Sequence, residues 1–287
     1  FSELQGIIGR EYARLAGEKP PIAEAIYEHY LPVVAGGALP QTDEGAIVGI
    51  ADKMDSIVGF FGVGLSPSGT ADPYALRRQA IGIINIILFK RYALTLDYLF
   101  EESFGLFQNI FKKTAAEIKK DVLQFFAGRL ENLFIAQGYS YDTVAAVLAS
   151  DFSDLIAFEE KVKALHAFRN NPDFEPISIA FKRVDNILKA FNSPQLDPKL
   201  FVAEAEKNLF TAFKKINENV TAKIKANDYL GALTELAFLR PFVDAFFDNV
   251  MVMDKDKKIQ INRLSLLTEI SVMFHKIADF SKIATSG

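Results

Sequence analysis

Between Ala51 and Arg78 the chain reads ADKMDSIVGFFGVGLSPSGTADPYALRR, a span dense in groups able to do chemistry. Asp52, Lys53 and Asp55 form an acidic–basic–acidic cluster, a glycine-rich apolar run with a Ser/Gly/Thr turn follows, and Arg77 and Arg78 come shortly after Asp72-Pro73. His29 lies upstream of Asp52 on a preceding helical segment. Imidazole and carboxylate both ligate divalent ions, so this pair is the candidate remnant of a metal set. Two ligands alone do not hold a metal tightly, and a hydrogen-bonded His29 at a helix end, with Asp52 and Lys53 as a surface pair, accounts for the same residues. Arg77 and Arg78, one turn into a helix opened by Asp72-Pro73, suit a phosphate approached by backbone N–H groups; a salt bridge to Asp72 is the structural alternative. The glycine-rich run lacks both G-x-x-x-x-G-K-[ST] and a preceding strand, which makes it an interhelical turn rather than a phosphate loop.

Further along, cations stand where apolar residues belong. On a helix expected from Phe111 to Gly138, Arg129 falls within the stripe of Val122, Phe125 and Leu133, and Arg263 shares the stripe of Leu266, Ile270, Met273 and Ile277. A buried arginine costs several kcal/mol unless it is paired, so each is either a structural ion pair or a guanidinium lining a groove. Arg263, placed in the first turn of its helix, can reach solvent, and both readings stay open for it. The helix from Pro176 buries Ile177, Phe181, Val184, Leu188 and Phe191 and presents Lys182, Asn186 and Lys189 on the other side, with Arg183 at the flank. That mixture suits phosphate and base-edge contacts, and a solvated face has the same composition. Lys112, Lys113, Lys119 and Lys120 form a second basic strip.

The elements that position these groups are helices throughout. Apolar residues recur at helical spacing behind Pro20-Pro21, after Asp43, and in helices expected over 74–92, 142–149, 154–169, 176–191, 198–225, 228–239 and 263–282. The expected fold is all-α in two helical domains, 1–105 and 106–287, with the seam between Thr95 and Gly105.

Composition narrows the function classes. Cysteine is absent, which excludes disulfides, thiolate catalysis and thiolate metal sites. No apolar run reaches the roughly 20 residues of a membrane helix, so no membrane partner is expected. The net charge of −4 is uneven: 8 Lys and Arg face 13 Asp and Glu through Gly105, against 24 and 23 beyond it. Any nucleic-acid contact therefore comes from local basic patches. The chain opens on Phe1 inside a helical pattern and is expected to be a piece of a longer protein.

Four stretches carry a resemblance. EHYLP (28–32) with the 51–78 span, FFAGRL (125–130), AFKRVDNIL (180–188), and FFDNVMVM with INRLSLL (246–253, 261–267) resemble the β-subunit family of bacterial two-subunit glycyl-tRNA synthetases. The resemblance implies the later part of a degenerate HD-like domain followed by a helical anticodon-binding domain of the DALR type. It implies a cytoplasmic subunit of a glycine–tRNA ligase that holds tRNA(Gly) for an α subunit, where ATP and Mg are used, with no catalytic residue, metal or cofactor on this chain. Candidate tRNA contacts are Arg77, Arg78, Lys182, Arg183, Asn186, Asn262 and Arg263. The rival readings are a metal-dependent phosphohydrolase of the HD type, built on upstream ligands together with His29 and Asp52, and an all-α scaffold that docks another subunit.

Overall fold

The computed structural model describes residues 1–34, 36–107, 110–189, 191 and 194–284. The described residues are all-α: helices joined by turns, with two isolated bridges and no named strand. In chain order the helices are α1 (Ile7–Leu15), α2 (Pro20–Glu28), α3 (Asp43–Gly62), α4 (Leu76–Lys90), α5 (Leu96–Leu106), α6 (Ala115–Ala136), α7 (Tyr141–Leu148), α8 (Leu155–Phe168), α9 (Phe174–Leu188), α10 (Glu204–Lys225), α11 (Tyr229–Ala237), α12 (Arg240–Asn249) and α13 (Lys257–His275). Two compact units result, residues 1–133 with 153–156 and residues 134–152 with 157–287.

The first unit is built around α3. Ile50, Met54, Ile57, Val58 and Phe61 line its buried side at helical spacing, and α2, α4 and α5 pack on it. The approach of α2 requires glycine: a Cβ at Gly45 would stand 2.5 Å from Glu28, and one at Gly49 would stand 3.0 Å from the His29 carbonyl oxygen. Glu28 is buried at that crossing. Its carboxylate accepts from Gln41 N (2.9 Å), Thr42 N (2.9 Å) and Thr42 Oγ1 (2.5 Å), while Thr42 Oγ1 caps α3 by accepting from Gly45 N at 3.0 Å. A negative group is thus fixed at the positive end of α3.

Several helix starts differ from the sequence expectation; the helix expected over 198–225 begins at Glu204, and three others bear on the site. Helix α4 begins at Leu76, because residues 68–75 close a tight turn in which Ala75 takes a left-handed conformation; Asp72 still serves the helix, accepting from Leu76 N and Arg77 N. Helix α6 starts at Ala115 behind a reciprocal cap, in which Thr114 Oγ1 accepts from Glu117 N and Glu117 accepts from Thr114 N. Its buried stripe in this unit is Ile118, Val122, Phe126 and Leu130, one step round from the expected one, so Arg129 lies at the stripe's edge. Helix α13 begins at Lys257, where Asp256 accepts from Lys258 N, so Arg263 sits well inside the helix.

In the second unit α9 lays Phe174, Ile177, Phe181 and Val184 against α13, and Phe181, Phe274 and Phe280 pack ring on ring with centroids 4.8–5.7 Å apart. Helix α10 buries Leu209, Phe213, Ile216 and Val220 and packs on α11 and α12. Its start carries the counterpart of Glu28. Glu206 is fully buried and accepts from Val202 N (2.9 Å) and Ala203 N (2.6 Å).

Removing the Glu28 carboxylate leaves its three donors unmet. Glu28→Ala is therefore expected to destabilise the first unit by about 3 kcal/mol or more, with Glu28→Gln losing less because one acceptor oxygen remains. Urea unfolding measures both; a Glu28→Ala midpoint equal to the parent's would contradict the anchoring role.

Candidate nucleic-acid interface

In the first unit His29, Asp52, Lys53 and Arg78 line one pocket of about 550 Å³, with Tyr27, Tyr30 and Gln79 among the other walls. Lys53 organises it. Its ammonium is drawn into the interior of α3, where it donates to the carbonyl of His29 (2.6 Å) and of Gly49 (3.3 Å) and so caps the end of α2. His29 is held by its own helix, Nδ1 lying 3.2 Å from the Ala25 carbonyl oxygen. Burial pushes the Lys53 pKa down to about 8, with nearby Arg78 adding to the fall and Asp52 opposing it. A divalent ion does not fit these walls: among the described residues Glu3, His29 and Asp52 do not gather into one ligand set, and the cations Lys53 and Arg78 stand beside them.

The two arginines after Asp72 part company. Arg77 turns back to close the preceding turn, donating to Gly69 O at 2.6 Å, whereas Arg78 is exposed at the pocket. Arg129 has no ion-pair partner among the described residues. Its guanidinium stacks over Phe125 at 5.4 Å, and its Nε is buried without a hydrogen bond. Burial lowers its pKa, and the neighbouring Arg77 charge lowers it further. It is a half-buried guanidinium on an aromatic ring, not half of a buried ion pair among the described residues. The basic strip at the start of α6 is partly neutralised, since Lys113 pairs with Asp121 and Lys119 with Asp97 and Glu101, leaving Lys112 and Lys120 outward.

In the second unit α9 turns Arg183 and Asn186 to solvent, with Lys182 half-buried between them and the core. Arg183 lies over the half-buried ring of Phe247 at 4.6 Å and reaches Asp244 at 3.6 Å. The outward face of α9 thus continues onto α12 as guanidinium, amide and aromatic side by side. Phe247 escaped the sequence reading because nothing in FFDNVMVM distinguishes it from the buried Phe246 beside it.

Arg263 corrects the expectation of a solvent-reaching contact. It is 6% exposed. Nε donates to Glu206 (2.8 Å) and Nη1 to Asp254 (2.7 Å) and the Met251 carbonyl (2.8 Å). Burial works against the charge, but Glu206 and Asp254 outweigh it and hold the pKa above its ordinary value. The helix start at Lys257 is the reason: it takes Arg263 out of the first turn, where it could reach solvent, and into the helix on the stripe already expected to be apolar. Asn262 is likewise buried, and its Oδ1 accepts from Asp197 N at 2.7 Å. Both position the chain and neither is available to a ligand.

Two variants test these assignments. Arg263→Ala leaves Glu206 as a buried unpaired carboxylate and is expected to cost about 3–5 kcal/mol, read by thermal unfolding; an unchanged Tm would return Arg263 to the surface. For Lys53, folding lowers the pKa from 10.5 to about 8, so between those values the unfolded chain holds more protons. Stability should therefore rise with pH across that window, and Lys53→Met should flatten the rise in urea midpoints. Equal slopes for the two proteins would place Lys53 in solvent.

Two families match the chain: Glycyl-tRNA synthetase beta subunit over residues 1–149, and DALR anticodon binding domain over residues 177–285. Among curated relatives, the glycine–tRNA ligase beta subunit of Syntrophus aciditrophicus (strain SB) is 56% identical over 287 residues, covering 100% of this chain and 42% of the relative. Those of Geobacter metallireducens and Syntrophotalea carbinolica are each 50% identical over 284 residues, covering 99% of this chain and 41% of the relative. The chain spans about two fifths of the length of the curated relatives it matches.

Proposed function

The chain belongs to the glycyl-tRNA synthetase β-subunit family, and from that premise we propose that it is the tRNA-holding part of a two-subunit glycine–tRNA ligase. In this reading the second unit takes the anticodon stem-loop on the outward face of α9 and α12. Arg183 and Lys182 meet phosphate or stack on bases, and Asn186 reads a base edge. In the first unit, the HD-like part of the family's architecture, Arg78 and Arg129 are cations available to the acceptor side of the tRNA, with Lys112 and Lys120 outward on α6. Arg77 contributes backbone and turn geometry more than charge. Glycine activation with ATP and Mg belongs to the α subunit, in the cytoplasm.

The observation that carries the proposal is Arg183 lying across Phe247 beside an exposed Asn186, within the region that matches the anticodon-binding family. Unpaired bases are recognised by stacking on rings and guanidinium planes and by hydrogen bonds to their edges, and this face offers both. The donor set around His29 and Asp52 argues against the phosphohydrolase reading, for the reasons of charge given above.

The test is binding to tRNA with a glycine anticodon, against an anticodon-swapped control, across a salt series, for the chain alone and in the assembled two-subunit enzyme. Expected are tighter binding to the glycine anticodon and a loss of about 1–3 kcal/mol of that discrimination in Asn186→Ala. Arg183→Ala should weaken binding and reduce the salt slope by about 1 if it meets a phosphate. Equal affinity for both tRNAs in the assembled enzyme would overturn anticodon reading by this face.

A further inference from the structure

Three side chains far apart in sequence converge in the second unit. Asp185 comes from α9, His275 is the last residue of α13, and Asp279 caps the short turn Phe280–Lys282 that follows. One oxygen from each carboxylate and one imidazole nitrogen all lie within 4.8 Å of one another.

Each carboxylate is oriented by a fixed donor. Ser271 Oγ donates to Asp185 Oδ1 at 2.9 Å, and Ser281 N donates to Asp279 Oδ1 at 2.9 Å. Among the described residues no lysine or arginine pairs with either carboxylate, and no hydrogen bond joins the imidazole to them. The imidazole has a second peculiarity: Nδ1 is buried with no hydrogen-bond partner, on a ring packed at 5.4 Å against Phe181. A buried ring nitrogen without a partner is costly, and two carboxylates brought together without a cation repel.

The repulsion is removed by one positive ion held among the three groups, with an imidazole nitrogen as its neutral ligand. Ligand atoms around an ion at the usual ~2.0–2.2 Å stand farther from one another than hydrogen-bonded atoms do. Three half-buried groups whose ligand atoms lie within 4.8 Å of one another, with no hydrogen bond between them, are within reach of that arrangement. Ser271 and the Ser281 N–H occupy the place of the outer partners that orient metal-binding carboxylates.

We propose that Asp185, His275 and Asp279 form a binding site for one divalent cation of borderline hardness. The donor set of one imidazole and two carboxylates suits Zn²⁺ first, and Mn²⁺ or Co²⁺ after it. Bound there, the ion clips the turn after α13 onto α9, around the cluster of Phe181, Phe274 and Phe280. Nothing in the motifs points to the site, because its ligands come from separate elements.

The test uses the chain stripped of metal by dialysis against a chelator and titrated with Zn²⁺ by calorimetry and thermal unfolding. One ion per chain should bind, and Tm should rise with free Zn²⁺, because a ligand of the native state alone stabilises it. Asp185→Asn and His275→Gln should each weaken binding by about 100-fold or more while leaving the metal-free Tm close to the parent's. Co²⁺ gives a second readout that does not depend on stability: a visible absorption band lost in His275→Gln and retained in His29→Gln and His166→Gln. Absence of saturable binding to the stripped chain would overturn the proposal. So would undiminished binding in the Asp185→Asn/His275→Gln double variant, or a Tm that follows pH and ignores metal, which would make a proton the bridging charge.

Discussion

A carboxylate buried at the start of a helix must be met by fixed donors, and each unit of this chain is organised around one that is. Glu206 joins the first turn of α10 to Arg263 of α13, and Arg263 reaches on to Asp254 and the Met251 carbonyl. One buried ion pair thereby fixes a helix start, a helix interior and the connecting segment between α12 and α13. Glu28 does the same work with neutral donors, holding Gln41 and Thr42 at the start of α3. Left unmet, either charge would cost several kcal/mol. Once they are met, the N–H groups that every helix start leaves open acquire charge-assisted partners.

Much else follows from these two points. With Glu28 in place, α2 ends against Gly45 and Gly49, and the His29 carbonyl comes within reach of Lys53. With Glu206 in place, α13 turns Asn262 and Ser265 toward the segment before α10, where they accept from Asp197 N and Gln195 N. The cations and amides of the chain then fall into two groups. Arg263, Asn262, Lys53 and most of Arg77 hold backbone; Arg78, Arg183 and Asn186 face solvent, and Arg129 lies half-buried over Phe125. For a chain of net charge −4 this division matters, because recognition of a polyanion has to come from the second group rather than from an overall field.

The helical fold was legible because apolar spacing survives uncertainty about where each helix begins. What did not survive was rotational position. At α6, Phe125 and Phe126 are equally apolar, and choosing the former put Arg129 mid-stripe when Phe126 is the buried ring. At α13 the error was in the start rather than the rotation: the helix was expected from 263, whereas Asp256 caps it, and the earlier start takes Arg263 out of the first turn. Glu28 and Glu206 gave no signal at all, since a carboxylate that satisfies backbone looks in sequence like any surface acid. The exposed face of α9 was readable, because one helix carried the whole pattern. Its aromatic partner Phe247 was not, because it comes from α12.

The pocket of the first unit makes the same point about chemistry. A histidine and an aspartate on successive helices read as the remains of a metal site, and they do share one pocket. Between them the chain places a lysine whose ammonium is already engaged with two carbonyls, and an arginine stands at the rim. A divalent ion would have to displace or deprotonate Lys53, and even then Glu3, His29 and Asp52 do not gather into one ligand set. The depressed pKa of Lys53 makes loss of its proton less costly than for an ordinary lysine, but the carbonyls it holds would then be left open at the end of α2. Lys53 has therefore replaced ligand chemistry with helix capping. What remains at that pocket is a lining of mixed charge, Lys53 and Arg78 against Glu3 and Asp52, whose buried ammonium holds backbone rather than a ligand.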